Sequence, residues 1–264
     1  MCRLLGVIAN EPVDFTFSML SGPKTLKQLS ETNPDGWGIG WYQGAKLKIH
    51  KEPIPANKSR TYSDFAKSVA ARIIIAHVRK ATVGKNIIEN CHPFEYGGWL
   101  FAHNGSLDRE RLLDLLEPRH LDRISGQTDS EVFFHFLLQN IEAEKNNVTK
   151  GISKAVAFVK KGNHKGLNFL LSDGENLFAF RDAKSNFNHY SLFYLRRPSL
   201  KKQLLSLLEL RSKEVRSLLQ SRSLGRRKAV LVSSEKLTDE SWKEIPVGGL
   251  LTITADLKTR CVKI

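Results

Sequence analysis

Apolar residues fall into short runs along this chain, and the spacing within the runs changes character several times. CRLLGVIAN, RIIIAHVRKAT and GGWLFAHNGSL each hold a compact apolar stretch ending in polar or turn residues. That pattern predicts strands buried on both faces. The first run is expected to close at Asn10-Glu11-Pro12, and the third in an Asn-Gly turn at Asn104-Gly105. DGWGIGWY passes into AKLKIHKEP through Gln43-Gly44, and LNFLLSDGENLFAFRD turns about Asp173-Gly174, so two hairpins are predicted. KAVLVSSEKL and GGLLTITAD read as closing strands. Elsewhere the period lengthens to that of a helix. SDFAKSVAA predicts a short capped helix from Ser63, TDSEVFFHFLLQNIEAEKN a longer one, and ISKAVAFVKKG a third ending at Gly162. SLKKQLLSLLELRSKEVRSLLQSRSLG reads as a long amphipathic helix or helix pair over about 199–228.

Antiparallel hairpins with interspersed helices, and weak βαβ alternation, predict an α+β fold. Two packed sheets covered by helices bury this many two-sided strands most simply. No repeat, low-complexity segment or linker divides the sequence, so residues 2–264 are expected to form a single domain.

Composition narrows the picture modestly. The 264 residues are 41% hydrophobic, enough for a sizeable core. No apolar run approaches the ~20 residues of a membrane span. MCRLLGVIANEPVDF lacks the basic, apolar and small-residue succession of a signal peptide, so a cytoplasmic protein is expected. Cys2, Cys91 and Cys261 are widely separated and form no CxxC, which argues against a disulfide framework and a structural zinc site. The formal net charge is +14, and residues 196–228 carry eleven Lys/Arg against two Glu. Such a block suits an acidic partner, nucleic acid or a membrane surface. No stacking aromatics interleave the charges, which also suits a solvated helix face.

Several residues could carry chemistry. Cys2 follows an initiator Met1; removal of Met1 would set its thiol beside a free α-amine. A thiol has a pKa of about 8.5 and an α-amine about 7.7–8.0, so proton transfer from sulfur to nitrogen costs only about 1 kcal/mol. A terminal Cys therefore brings its own base, whereas an internal Cys has only an amide nitrogen. Polar groups also gather at predicted strand ends: His77, Arg79 and Thr82 after IIIA, Asn104 and Gly105 after WLFAH, Asn90 to Pro93 in NCHPF, and Asp129 before a helix. Each has a plain structural reading, such as a turn for Asn104-Gly105 or an N-cap for Asp129. DGWGIG has the wrong spacing for a dinucleotide fingerprint and reads as a tight turn. His77, His92 and His103 follow no metal-binding pattern.

Taken in order, Met-Cys, DGWGIGWY, AHVRKAT, NCHPF, FAHNGSL and GQTDSE resemble the class II glutamine amidotransferase domain, an N-terminal-nucleophile hydrolase. LSDG and SSEKLTDESWKEIPVGGLLTI are similar to its short stand-alone members, which include a γ-glutamyl hydrolase of ergothioneine synthesis. The resemblance covers roughly residues 2–182 and 229–253, leaving the basic segment outside. It implies a four-layer αββα sandwich. It also implies that Cys2 is the nucleophile and that Asn104 and the Gly105 N–H form the oxyanion hole. Arg79 would hold the substrate α-carboxylate and Asp129 the α-ammonium. Gly36 and Trp37 would flank the thiol, with Thr82 and His92 supporting the pocket. No metal or cofactor is implied. The substrate would be glutamine or a γ-glutamyl amide, and a separate synthase or acceptor protein is one partner the resemblance leaves open. The rival reading is a catalytically idle protein that docks on nucleic acid or an acidic partner through the basic helix.

Overall fold

The computed structural model describes residues 2–197 and 228–264. The basic amphipathic helix expected over about 199–228 lies outside the described residues.

The chain runs β1 (Arg3–Asp14), a π-helical turn (Phe17–Ser21), α1 (Leu26–Leu29), β2 (Trp37–Gln43), β3 (Lys46–Glu52), α2 (Tyr62–Ser68) and β4 (Ala70–Val78). A 3₁₀ turn (Ile88–Asn90), β5 (Phe94–Tyr96), β6 (Trp99–Leu107), α3 (Arg109–Leu113), α4 (Pro118–Leu121), α5 (Asp129–Ala143) and α6 (Val148–Lys160) follow. β7 (His164–Ser172), β8 (Leu177–Arg181), β9 (Phe193–Arg197), β10 (Ala229–Ser233), β11 (Lys243–Glu244), β12 (Gly249–Ile253) and β13 (Thr259–Lys263) complete it. Among the described residues there are two sheets. One has the order β11-β9-β10-β1-β4-β2-β3 and the other β13-β12-β8-β7-β6-β5. Neighbouring strands are antiparallel throughout.

Side-chain alternation sorts these strands into four layers. In β1, Leu4 and Ile8 face the other sheet, where they meet Leu100, Ala102, Leu170, Ala179 and Leu251. Leu5 and Val7 point the opposite way, against Phe15, Met19, Leu26, Tyr62 and Ala66. In β6, Phe101 turns outward and packs beneath Val132, Phe133 and Leu137 of α5 and Val156 of α6. Every central strand is thus buried on both faces, which is why its sequence is a continuous apolar run rather than a clean alternation. The architecture is the expected αββα sandwich. Among the described residues, no helix is long and apolar enough to cross a membrane.

Local expectations fail where tertiary pairing overrides turn chemistry. β1 does not close at Asn10; it continues to Asp14, and its pairing with β4 is interrupted between Ile8 and Val13. The Asn10-Glu11-Pro12 stretch is a bulge, which accommodates the missing Pro N–H. Nor is Asn104-Gly105 a turn. Asn104 pairs with Asn168 and Gly105 with Leu167, because β7 supplies a ladder that holds the dipeptide extended. DGWGIG is no tight turn beyond Gly36. Gly36, Gly38 and Gly40 occupy alternate positions, and Trp37 and Ile39 point into the outer core. A Cβ would meet Cys91 Sγ at 2.5 Å from Gly36, the His92 carbonyl oxygen at 2.2 Å from Gly38 and Leu100 at 2.5 Å from Gly40. This glycine row lets the 91–93 segment lie directly on β2.

Candidate active site

The sheet order brings one set of strand ends together. Cys2 immediately precedes β1, and Arg3 at the start of β1 pairs with Val78 at the end of β4. Arg79 and Lys80 therefore emerge beside the thiol. On the other flank of β1, Leu4 exchanges hydrogen bonds with Ser234: its N–H donates to Ser234 Oγ at 2.9 Å, and the Ser234 N–H donates to its carbonyl at 3.1 Å. The facing sheet contributes the end of β6, and α5 begins alongside it.

The result is a cavity of about 140 Å³ lined by Cys2, Arg79, Thr82, His92, Asn104, Gly105 and Asp129, together with His103, Ser130 and Tyr190. Seven of the nine residues singled out from the sequence thus share one space. Gly36 and Trp37 do not line it. Gly36 lies one step behind: its carbonyl accepts the Arg79 N–H at 2.7 Å. The Trp37 side chain packs in the outer core, with its ring edge-on to Tyr62 at 4.8 Å.

Cys2 is half-buried. Its Sγ accepts the Lys80 backbone N–H at 3.2 Å. Burial raises the thiol pKa, and the Lys80 N–H and the Arg79 cation oppose that rise. Asn104 Nδ2 donates to the Cys2 carbonyl at 3.0 Å, so the amide is held within reach of the thiol's own backbone. Gly105 must be glycine where it stands, since a Cβ would fall 1.9 Å from the Gly166 carbonyl oxygen and 2.4 Å from His103 Nε2.

Arg79 is 3% exposed and enclosed by the segment that follows it. Its Nη2 donates to the Val83 carbonyl at 2.7 Å, and its Nη1 donates to Asn86 Oδ1 at 3.1 Å and the Lys85 carbonyl at 3.3 Å. Asp35 braces the same segment by accepting the Ala81 N–H at 2.8 Å and Asn86 Nδ2 at 3.1 Å. The aspartate lies one residue before the glycine row, and sequence reasoning missed it because its partners are supplied only by folding.

Asp129 is the first residue of α5 rather than its cap. Thr128 caps the helix by accepting the Glu131 N–H at 3.2 Å. Asp129 Oδ2 accepts the Leu107 N–H at 2.6 Å. Burial raises its pKa, partly offset by that hydrogen bond. Ser130 Oγ lies 2.9 Å from His103 Nδ1 and 3.5 Å from Asp129 Oδ1, which links carboxylate and imidazole. The His77 and His92 rings pack with centroids 4.2 Å apart, tilted by 33°. Burial lowers His77 and His103 to about 3 and pushes His92 well below its usual value, so all three imidazoles are neutral at pH 7. Among the described residues no group of three or more His, Cys, Asp or Glu could hold a metal ion.

An αββα sandwich with a cysteine at the head of its central strand, facing an Asn-Gly pair, is an arrangement suited to opening amide bonds. Residues 1–262 match the sequence model of the class-II glutamine amidotransferases, and the chain belongs to that family of enzymes. An uncharacterized protein of Methanocaldococcus jannaschii is 32% identical over 95% of this chain and 68% of its own. The γ-glutamyl-hercynylcysteine sulfoxide hydrolase of Mycobacterium tuberculosis is 34% identical over 119 residues, which are 41% of this chain and 51% of that one. A glutamine aminotransferase class-II domain protein from Silicibacter pomeroyi superposes with a TM-score of 0.67 over 99% of both chains at 21% identity, a likeness of fold.

Proposed function

We propose that the chain hydrolyses the γ-amide of glutamine or of a γ-glutamyl amine, with Cys2 as the nucleophile. The observation that carries this reading is the single cavity shared by Cys2, Asn104, Gly105, Arg79 and Asp129. After Met1 is removed, the free α-amine takes the thiol proton. The thiolate attacks the amide carbon, and the oxyanion is held by Asn104 Nδ2 and the Gly105 N–H. One such donor is typically worth about 3 kcal/mol. Asn104 turns from the Cys2 carbonyl to reach it. The C–N bond then breaks, the leaving nitrogen takes the proton from the α-ammonium, and a γ-glutamyl thioester remains. Water hydrolyses the thioester to glutamate and restores the thiol.

Arg79 is assigned to the α-carboxylate, which displaces part of the 83–86 segment from the guanidinium, and Asp129 to the α-ammonium. Gripping both groups selects a free γ-glutamyl unit over a glutamine side chain within a protein. Thr82 and His92 support the pocket wall, while the Gly36 carbonyl holds the Arg79 N–H from behind. Residues 2–264 act as one domain in the cytoplasm, and where the ammonia is used, a separate synthase receives it.

A glutamine analogue bearing an electrophilic ketone tests the assignment. Intact mass of active protein should lack Met1, label should attach to Cys2 alone, and Cys2→Ala should abolish both label and glutamate release. Label on Cys91, or full activity with Met1 retained, would sink the mechanism.

A further inference from the structure

Asn90 is fully buried and does not line the thiol cavity. Its hydrogen bonds nevertheless join two ends of that cavity. Nδ2 donates to the Lys85 carbonyl at 2.9 Å and to Gln127 Oε1 at 3.3 Å, and Oδ1 accepts the Gln127 N–H at 2.7 Å. Gln127 Oε1 also accepts the Lys85 N–H at 3.0 Å. Both backbone polar groups of Lys85 are thus engaged, and its carbonyl is one that Arg79 Nη1 reaches at 3.3 Å. Hydrogen bonds therefore run from the Arg79 guanidinium through Lys85 to Gln127, which stands two residues before Asp129.

The far side of this bridge is anchored to the helix that carries Asp129. Glu131 Oε1 accepts the Ser125 N–H at 3.1 Å and the Ser125 hydroxyl at 2.9 Å, and Oε2 accepts the Gly126 N–H at 2.7 Å. With Thr128 capping α5, residues 125–128 are tied to its first turn. Glycine makes room for the bridge on both sides. A Cβ on Gly84 would fall 2.8 Å from Asn90 Nδ2, and one on Gly126 would fall 2.6 Å from Asn90 Oδ1. A free γ-glutamyl group carries its carboxylate and its ammonium on one carbon atom. Partners for the two must therefore stand at a matched spacing, held to about 0.5 Å. When the substrate carboxylate takes the guanidinium, Lys85 keeps its bonds to Asn90 and Gln127, so the 83–86 segment stays in register with Asp129.

We propose that Asn90 and Gln127 are positioning residues that fix the spacing between Arg79 and Asp129, so that the α-carboxylate and the α-ammonium are recognised together rather than separately. The inference rests on the glutamyl-binding roles proposed for Arg79 and Asp129 and adds the device that couples them.

The experiment removes the bridge at Gln127, whose side chain is exposed. Three amides are compared: glutamine, glutaramic acid, which lacks the α-amino group, and 4-aminobutanamide, which lacks the α-carboxylate. The quantities read are two ratios of kcat/KM, glutamine over each analogue, which cancel any change in the thiol or the oxyanion hole; an analogue that is not turned over is read through its Ki against glutamine. In Gln127→Ala both ratios should fall roughly tenfold or more, since a misplacement of about 1 Å is costly to an oriented substrate. Gln127→Glu keeps an oxygen acceptor for Lys85 and Asn90, so both ratios should stay within about threefold of wild type. A fall only in the ratio to glutaramic acid would mean that Gln127 props Asp129 alone, and a fall only in the ratio to 4-aminobutanamide that it props Arg79 alone. Either result, or two unmoved ratios, overturns the coupling while leaving the hydrolase reading intact. If the wild-type protein releases no glutamate from glutamine and Cys2 resists the ketone analogue, the hydrolase reading falls and the coupling with it.

Discussion

Asn104 and Arg79 sit in the same cavity, yet their contributions separate in kinetics. In the proposed mechanism Asn104 Nδ2 acts on charge that develops only in the transition state, so Asn104→Ala should lower kcat by roughly 10²–10³-fold with little change in KM. A loss confined to KM would argue against its oxyanion role. Arg79→Lys keeps the charge but not the planar fork, so KM for glutamine should rise strongly while kcat changes less. Asp129 offers a separate test through stability. Its pKa is raised by burial, so the folded state holds the proton more tightly than the unfolded state. The carboxylate therefore costs stability at pH 7, and that cost is relieved as pH falls through the folded pKa. Asp129→Asn should raise Tm at pH 7, by roughly 2–4 °C if about 1 kcal/mol is recovered, while abolishing glutamine binding. An unchanged or lower Tm would mean that the ionised group is stabilised by its surroundings.

The glycine row of β2 shows how an element can be read and misread. Gly36, Gly38 and Gly40 are visible in the sequence, but glycine marks turns and close approaches alike. Only the partner strand and the 91–93 segment, which is distant in sequence, decide between them. Gly38→Ala places a methyl 2.2 Å from the His92 carbonyl oxygen, a backbone atom. It should cost roughly 1–3 kcal/mol by overpacking, read as a lower denaturant midpoint, and should reduce turnover by shifting His92. Unaltered stability would show that the two segments can separate freely. The same logic explains the reach of sequence reading elsewhere. Strands buried on both faces, such as β4 and β7, announce themselves by dense apolar runs. β13 is mostly exposed and carries polar residues, so its sequence gives no such signal. Asn104-Gly105 reads as a turn in sequence, but β7 imposes its extended form. The site was legible in its chemical residues, whose types suit thiol chemistry and amino-acid binding. Its supports, Asp35 and Ser130, were not, because each acts through partners supplied only by the fold.

At the scale of the molecule, burial of histidines sets the response to acid. His77, His92, His103 and His135 are all nearly inaccessible, at 1%, 4%, 1% and 3% exposure. Burial lowers His77 and His103 to about 3 and His135 to about 4, and His92 well below its usual value. In the unfolded chain a histidine titrates near 6.5. A histidine whose folded pKa is lowered contributes stability above the unfolded value and loses it as pH falls below that value. Between about pH 6.5 and pH 4 the unfolded state binds the extra protons, so stability declines with falling pH. Each histidine contributes up to about 1.4 kcal/mol per pH unit in that window. Asp129 opposes the trend, but as one carboxylate against four imidazoles. Carboxylates held low in the folded state, such as Glu52 and Asp256, lose stability in the same direction but only at more acidic pH. The window from pH 7 to pH 5 therefore reports on the histidines. Urea unfolding across that range should show a midpoint that falls steadily with acid, with a slope corresponding to more than one proton taken up on unfolding. A flat profile from pH 7 to pH 5 would require these imidazoles to be protonated in the folded protein, contrary to their buried, neutral state.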